Sequence, residues 1–181
     1  MRRTIFLLLS ISTLFLAAAD FSVPFLKKAP SIDGRLDEGE WDCAMAFSGG
    51  AKNMDARRTT VWMAYDKSNI YMALQAEMPP RGNLVAASRW MNHHDSMELW
   101  FAPPEKLRTV ESLKFGAFQF MANFEEKTMA EHHNPGYGLS SRPWKHNATV
   151  KSKVEGGLWT MEMAFPLKEM EPWANRWSFL K

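Results

Sequence analysis

Apolar and polar side chains alternate with a period of two through much of the chain. The clearest alternating segments are 61–65, 70–78, 97–101, 118–124, 148–154 and 158–165. Side chains two positions apart lie on one face of a strand, so these segments predict β-strands. Turn-forming residues separate several of them, such as Asp66-Lys67-Ser68-Asn69 and Glu155-Gly156-Gly157. The pattern therefore predicts an all-β domain built as an antiparallel, jelly-roll-like β-sandwich.

Regions without this alternation are predicted to be loops or short helical turns. Residues 49–58 and 131–144 lack apolar periodicity, and we interpret them as loops. The segments 107–113 and 167–170 could each form a turn or two of helix. A few short helical turns are thus expected beside the strands.

The alternation also assigns faces to individual residues. In the segment 158–165 it places Trp159, Met161, Met163 and Phe165 on one apolar face. Elsewhere it places four polar or aromatic residues on the face opposite the core: Glu98, Trp100, Gln119 and Asn123. If their strands are neighbours, these four form one patch. Taken alone, the pattern favours an ordinary solvated sheet face.

The N-terminus has the composition of a Sec-type signal peptide. Met1-Arg2-Arg3 precedes an apolar run, and Ala17-Ala18-Ala19 supplies a small-residue cleavage site. We therefore predict a signal peptide at 1–19, one domain at 20–181, and a secreted or periplasmic protein. No later stretch reaches membrane-spanning length, so no membrane attachment is expected after signal removal.

Charge and cysteine content narrow the function further. Residues 1–19 hold two of the 22 basic residues and none of the 20 acidic ones, so the rest of the chain is formally neutral. This balance argues against electrostatic nucleic-acid binding. Cys43 is the only cysteine, which rules out an internal disulfide. The eight tryptophans exceed what a core of this size usually needs, so some are candidates for ligand contact.

Five segments, in their order and spacing, resemble the family 9 carbohydrate-binding modules. They are "IDGRLDEGEW" (32–41), "VWMAYDKSNIYMALQAEMPP" (61–80), "HDSMELWFAPP" (94–104), "FQFMAN" (118–123) and "GGLWTMEMAFPLKEM" (156–170). The resemblance implies an exported, non-catalytic β-sandwich that binds poly- or oligosaccharide. It also implies association with a glycoside hydrolase, and thus a role in carbohydrate catabolism.

The resemblance carries over to single positions. The family's D-S-V-E element matches 95–98, which makes Glu98 the implied sugar contact, and its Q-Y-R-V-N element matches 119–123, which adds Gln119 and Asn123. Met121 stands where the family has arginine. Trp90 lies two residues from the position of the first sugar-clamping tryptophan, where Asn92 stands, while Trp173 and Trp177 are candidates for the second. Structural calcium is also implied, with Asp66 and Asp95 as candidate oxygen ligands.

Other residue clusters in the chain raise alternatives to sugar binding. The histidine pairs 93–94 and 132–133 offer imidazoles for a transition metal, but adjacent residues on extended backbone point apart. A glycosidase pair of Asp95 with Glu98, or of Asp37 with Glu40, needs two carboxyls facing one bond. The thirteen methionines leave a haem-binding or electron-transfer sandwich as an alternative, although Met63, Met72, Met161 and Met163 fit core packing.

The end of the chain raises a last alternative. The sequence ends at Lys181 in "RWSFLK", where the family would begin a closing strand. A truncated module without binding activity is therefore a further hypothesis.

Overall fold

Nine β-strands make up nearly all of the regular structure in the residues that the structure describes. The computed structural model describes residues 22–49, 58–80, 82–86, 90–101, 117–133 and 141–170. The strands in these ranges are β1 (Met45–Gly49), β2 (Thr59–Tyr65), β3 (Asn69–Glu77), β4 (Ser96–Phe101), β5 (Ala117–Asn123), β6 (Thr128–His133), β7 (Ser141–Pro143), β8 (Thr149–Glu155) and β9 (Leu158–Pro166). Two 3₁₀ turns, Met91–His93 and Leu167–Met170, accompany them.

The strands form two antiparallel sheets. One has five strands in the order β1-β2-β3-β9-β8, and the other has four in the order β4-β5-β6-β7. The β2–β3 hairpin closes where predicted, because the Asp66 carboxylate accepts the backbone N–H groups of Ser68 and Asn69, both at 2.7 Å. This is the local hydrogen bonding that makes aspartate a turn former.

The core lies between the two sheets. Trp159, Met161, Met163 and Phe165 of β9 are all buried, as their spacing predicts. Phe165 contacts the opposite sheet through Phe101, at a ring-centroid distance of 5.2 Å, and Phe120, at 5.6 Å. Burying each such side chain contributes about 1.5–3 kcal/mol. The predicted antiparallel β-sandwich is therefore confirmed.

The N-terminal segment covers the outer face of the five-stranded sheet. Phe25 forms a parallel bridge with Tyr65 at the end of β2. A second apolar cluster joins this segment to the sheet and consists of Leu26, Trp41, Ala64, Tyr71 and Ala73. This segment therefore buries Ala64, Tyr71 and Ala73 on the outer face of the five-stranded sheet.

The prediction of a loop over 131–144 is wrong at two places. Residues 131–133 belong to β6, and residues 141–143 form β7. The inward positions of β6 are Thr128, Ala130 and His132, as the β5–β6 register shows. Small and polar inward residues leave little apolar alternation to detect. Strand β1 was also missed.

Other predictions are confirmed or fall outside the described ranges. The helical turn predicted at 167–170 is present as the second 3₁₀ turn. The signal peptide at 1–19, the helical turn at 107–113, and Trp173 and Trp177 lie outside the described residues. Within the described ranges, no helix combines the length and apolar character needed to cross a membrane.

Candidate functional site

The outer face of the four-stranded sheet brings the predicted site residues together. The β4–β5 register pairs Trp100 with Gln119 and Ser96 with Asn123, and Glu98 lies between Trp100 and Ser96 on β4. Directly paired residues of antiparallel strands share a face. Glu98, Trp100 and Gln119 therefore lie together because β4 and β5 are neighbours, and Asn123 lies on the same face but is buried.

Glu98 is the centre of a hydrogen-bonded group on this face. Its Oε1 accepts the indole N–H of Trp100 and the Nε2 amide of Gln119, both at 2.6 Å. None of the described residues donates to its Oε2. A carboxylate oxygen can accept more than one hydrogen bond. The exposed Glu98 side chain can therefore accept further hydroxyl groups while two neighbours hold it in place.

His133 extends this group across β5 onto β6. Its Nε2 lies 2.8 Å from Gln119 Oε1, and its ring centroid lies 4.9 Å from that of Trp100. Glu131 Oε2 lies 3.6 Å from the same Nε2 and accepts a short hydrogen bond from the Ser141 hydroxyl. Sequence reasoning missed these residues because it placed 131–144 in a loop. The outward spacing of Met129, Glu131 and His133 was the available signal.

Two tryptophans present exposed aromatic surface near this group. Trp100 of β4 is 54% exposed. Trp90 is 56% exposed and directly precedes the 3₁₀ turn Met91–His93, which packs against β4 and β5. An exposed indole offers a flat apolar surface with little conformational entropy to lose. Trp90 and Trp100 are therefore available for ligand contact.

Asn123 has a different environment from the other predicted site residues. It is 0% exposed, and its Oδ1 accepts the backbone N–H groups of Glu125 at 3.1 Å and Lys127 at 3.0 Å. Its Nδ2 lies 3.2 Å from Nδ1 of His94, at the end of the turn that follows Trp90. Asn123 thus closes the β5–β6 turn and attaches the Trp90 segment to the sheet.

The carboxylates of the candidate calcium ligands, Asp66 and Asp95, accept hydrogen bonds from backbone amides. Asp66 accepts the Ser68 and Asn69 amides on Oδ1 and the Tyr71 hydroxyl on Oδ2, at 2.7 Å. Asp95 Oδ2 accepts the Val85 amide at 2.7 Å. Calcium needs six to eight oxygen ligands. In the described part of the chain, no group of three or more His, Cys, Asp or Glu side chains could hold a metal ion. Calcium binding by Asp66 or Asp95 stays a prediction.

The adjacent His132 and His133 point to opposite sides of β6, and the four methionines considered for haem pack in or against the core. His132 stacks on Phe118 on the core side, with ring centroids 4.5 Å apart, whereas the adjacent His133 faces outward. The four methionines considered for haem belong to the main core cluster or pack against it: Met63, Met72, Met161 and Met163. Their predicted role in core packing is confirmed.

Neither carboxylate pair considered for glycosidase chemistry faces a common point at the candidate site. The Asp95 carboxylate accepts a hydrogen bond from the Val85 amide in the segment that enters β4, while Glu98 lies on the outer face of the sheet. Glu40 Oε1 accepts the Ser31 amide at 3.0 Å in the N-terminal segment. The residues gathered around Glu98 are suited to hydrogen bonding and stacking.

Solved carbohydrate-binding structures share this fold. A family 9 carbohydrate-binding module from Caldicellulosiruptor kristjanssonii, in complex with cellotriose, matches with a TM-score of 0.57 and 14% identity, over 80% of this chain and 66% of that one. A glucose complex from the same organism matches with a TM-score of 0.55 and 12% identity, over 81% and 69%. A candidate carbohydrate-binding protein from Bacteroides uniformis gives 0.57 and 11%, over 82% and 73%.

These matches establish the fold. The chain spans just under two thirds of the length of the cellotriose-bound module. No protein-family profile and no curated protein sequence matches it. The two sheets, their core and the matched structures together show a β-sandwich domain with the fold of family 9 carbohydrate-binding modules.

Proposed function

We propose that the outer face of the four-stranded sheet binds poly- or oligosaccharide without catalysing a reaction on it. The observation that carries this proposal is the arrangement of Glu98 beside an exposed indole. Glu98 Oε1 is occupied by Trp100 and Gln119, while Oε2 accepts no hydrogen bond from the described residues. Sugar hydroxyls donate hydrogen bonds, and the apolar face of a pyranose packs on an aromatic ring.

The protein's biological setting is part of the same proposal. An exported module of this kind would hold glycan close to a glycoside hydrolase and so support polysaccharide degradation. The N-terminal signal-like segment and the resemblance of five sequence segments to family 9 modules support export and this association. The matched structures in complex with cellotriose and glucose support saccharide as the ligand class.

A binding titration with the Glu98→Ala variant tests the proposal. Glucose, cello-oligosaccharides and a glycan panel are added while tryptophan fluorescence and heat are measured. Hydrogen bonds to a charged group contribute about 1.5–3 kcal/mol, so we expect Glu98→Ala to weaken affinity by roughly 10- to 150-fold. Glu155→Ala, at the end of β8 in the other sheet, is the matched control and should bind like the wild type. Absence of binding to every glycan in the panel would overturn the proposal.

A further inference from the structure

We infer that His133 is a positioning residue for this face: it orients the Gln119 amide and, through it, the Glu98 carboxylate. The inference rests on the proposed function in one respect, namely that the ligand is a saccharide. The hydrogen bonds themselves involve only protein groups. They are therefore open to measurement in the ligand-free protein.

The direction of each hydrogen bond follows from the Glu98 carboxylate. Glu98 Oε1 accepts, so the group of Gln119 that lies 2.6 Å away must be its donating Nε2. Gln119 Oε1 is then the atom that faces His133 Nε2 at 2.8 Å, which requires a proton on that nitrogen. A flipped Gln119 would place two oxygens together at Glu98. The order of donation is therefore His133 to Gln119 to Glu98.

His133 also contacts the aromatic part of the site. Its ring lies 4.9 Å from the Trp100 ring at an interplanar angle of 42°. The Trp100 N–H is held by the same Glu98 oxygen that accepts Gln119. The indole is therefore restrained both along its edge and on one face. Fixing a binding group before the ligand arrives lowers the entropic cost of binding.

The sheet fixes His133 in its place. The register sets it opposite Ala117 of β5 on one side and Ser141 of β7 on the other. Glu131, two residues earlier on the same face, approaches its Nε2 to 3.6 Å. Because β6 is hydrogen-bonded on both sides, His133 has little freedom to leave Gln119. The backbone of His133 is thus held between β5 and β7 at the end of β6.

Two variants separate the N–H of His133 from its ring. His133→Phe keeps an aromatic ring beside Trp100 but removes the donor, whereas His133→Gln keeps an amide donor. The ¹⁵N–¹H resonances and hydrogen exchange rates of the Gln119 amide and the Trp100 indole are measured without ligand. Cellotriose affinity is measured on the same samples, and circular dichroism checks that each variant is folded.

We expect His133→Phe to shift the Gln119 resonances, accelerate exchange of its amide protons and weaken cellotriose binding roughly tenfold, as for loss of one neutral hydrogen bond. The cellotriose affinity of His133→Gln should stay within about threefold of the wild-type affinity, less than the tenfold loss expected for a lost bond.

Unchanged Gln119 signals in His133→Phe, or unchanged affinity despite shifted signals, would overturn the inference. If the wild type binds no saccharide, the proposed function fails, while the ligand-free spectra still decide whether His133 orients Gln119. If both variants unfold, His133 serves stability instead, and the positioning role is rejected.

Discussion

His146 shows at the scale of one residue how the core affects a titratable group. Its ring lies 4.8 Å from Phe120, edge to face, and its Nδ1 accepts the Ala148 amide at 3.2 Å. Burial lowers the pKa of His146 below its usual 6.5, although the Glu169 charge opposes the shift. A lowered pKa means that the folded protein favours the neutral ring. This contribution to stability is complete above about pH 6.5 and is lost as the pH falls through the folded-state pKa.

We therefore expect the melting temperature of the wild type to fall on acidification below pH 6.5, with His146 responsible for part of the fall. His146→Phe keeps an aromatic ring but cannot be protonated. Its melting temperature should depend less steeply on pH between 7 and 5 than that of the wild type. Parallel curves for the two proteins would show that His146 does not contribute.

Asp66 illustrates a carboxylate that organises a turn. Burial raises the pKa of Asp66, but hydrogen bonds from Tyr71, Ser68 and Asn69 outweigh burial and leave the pKa below its usual 3.8. The charged carboxylate therefore stabilises the hairpin, and this stabilisation is lost as the pH falls through that pKa. These bonds give Asp66 a structural role, and its role as a calcium ligand stays a prediction.

Asp66→Asn separates these two roles. The amide has one acceptor oxygen and cannot replace both carboxylate oxygens, so we expect a loss of about 1 kcal/mol in the free energy of unfolding. The loss should be equal in calcium and in EDTA, as measured by urea denaturation. Tyr71→Phe, which removes the hydroxyl that donates to Asp66, is the matched comparison. A loss that appears only in calcium would instead identify Asp66 as a ligand.

At the scale of elements, the hydrogen bonds of Glu162 join the N-terminal segment to β9. Glu162 is 0% exposed, and its Oε2 accepts the backbone amides of Asp33, Gly34 and Arg35 at 3.0, 2.9 and 3.2 Å. Its Oε1 accepts the Trp41 indole at 3.0 Å. Burial raises the pKa of Glu162, while these N–H groups oppose the rise. "IDGRLDEGEW" thus wraps one buried carboxylate, and we call this group the Glu162 clamp.

Gly34 is the residue of the Glu162 clamp that tolerates substitution least. Its φ is +88°, and an added Cβ would lie 3.1 Å from the backbone carbon of Ser152. Gly157 has a similar φ of +79° but no atom within 4 Å of an added Cβ. We expect Gly157→Ala to cost about 1–2 kcal/mol from its backbone conformation. Gly34→Ala should cost about 1–3 kcal/mol more because of the close contact. Equal losses in urea denaturation would contradict this difference.

For the molecule as a whole, alternation predicted the strands whose inward side chains are large and apolar. β9, with Trp159, Met161, Met163 and Phe165 inward, is the clearest example. β6 was missed because Ala130 and His132 give a weak apolar signal, and β7 because it has only three residues and includes Pro143. Strands of this kind are specified by their neighbours more than by their own residues.

The same limit applies to the candidate site. Alternation was sufficient to place Glu98 and Trp100 on the outer face of β4, and the pairing of β4 with β5 brings Gln119 beside them. The burial of Asn123 depends on the β5–β6 turn and on His94, which local spacing does not reveal. His133 requires the pairing of β6 with β5. Residues whose role depends on non-local pairing were therefore the ones that the sequence did not indicate.

The Glu162 clamp also bears on the order in which the protein folds during its synthesis. It joins Asp33 to Glu162, which are 129 residues apart in the chain. A ribosome adds about 5–20 residues per second, so the N-terminal segment emerges on the order of ten seconds before its carboxylate partner. Until then, the amides of Asp33, Gly34 and Arg35 lack the Glu162 carboxylate that accepts all three in the folded domain. The first part of the domain to leave the ribosome is consequently among the last to take its final place.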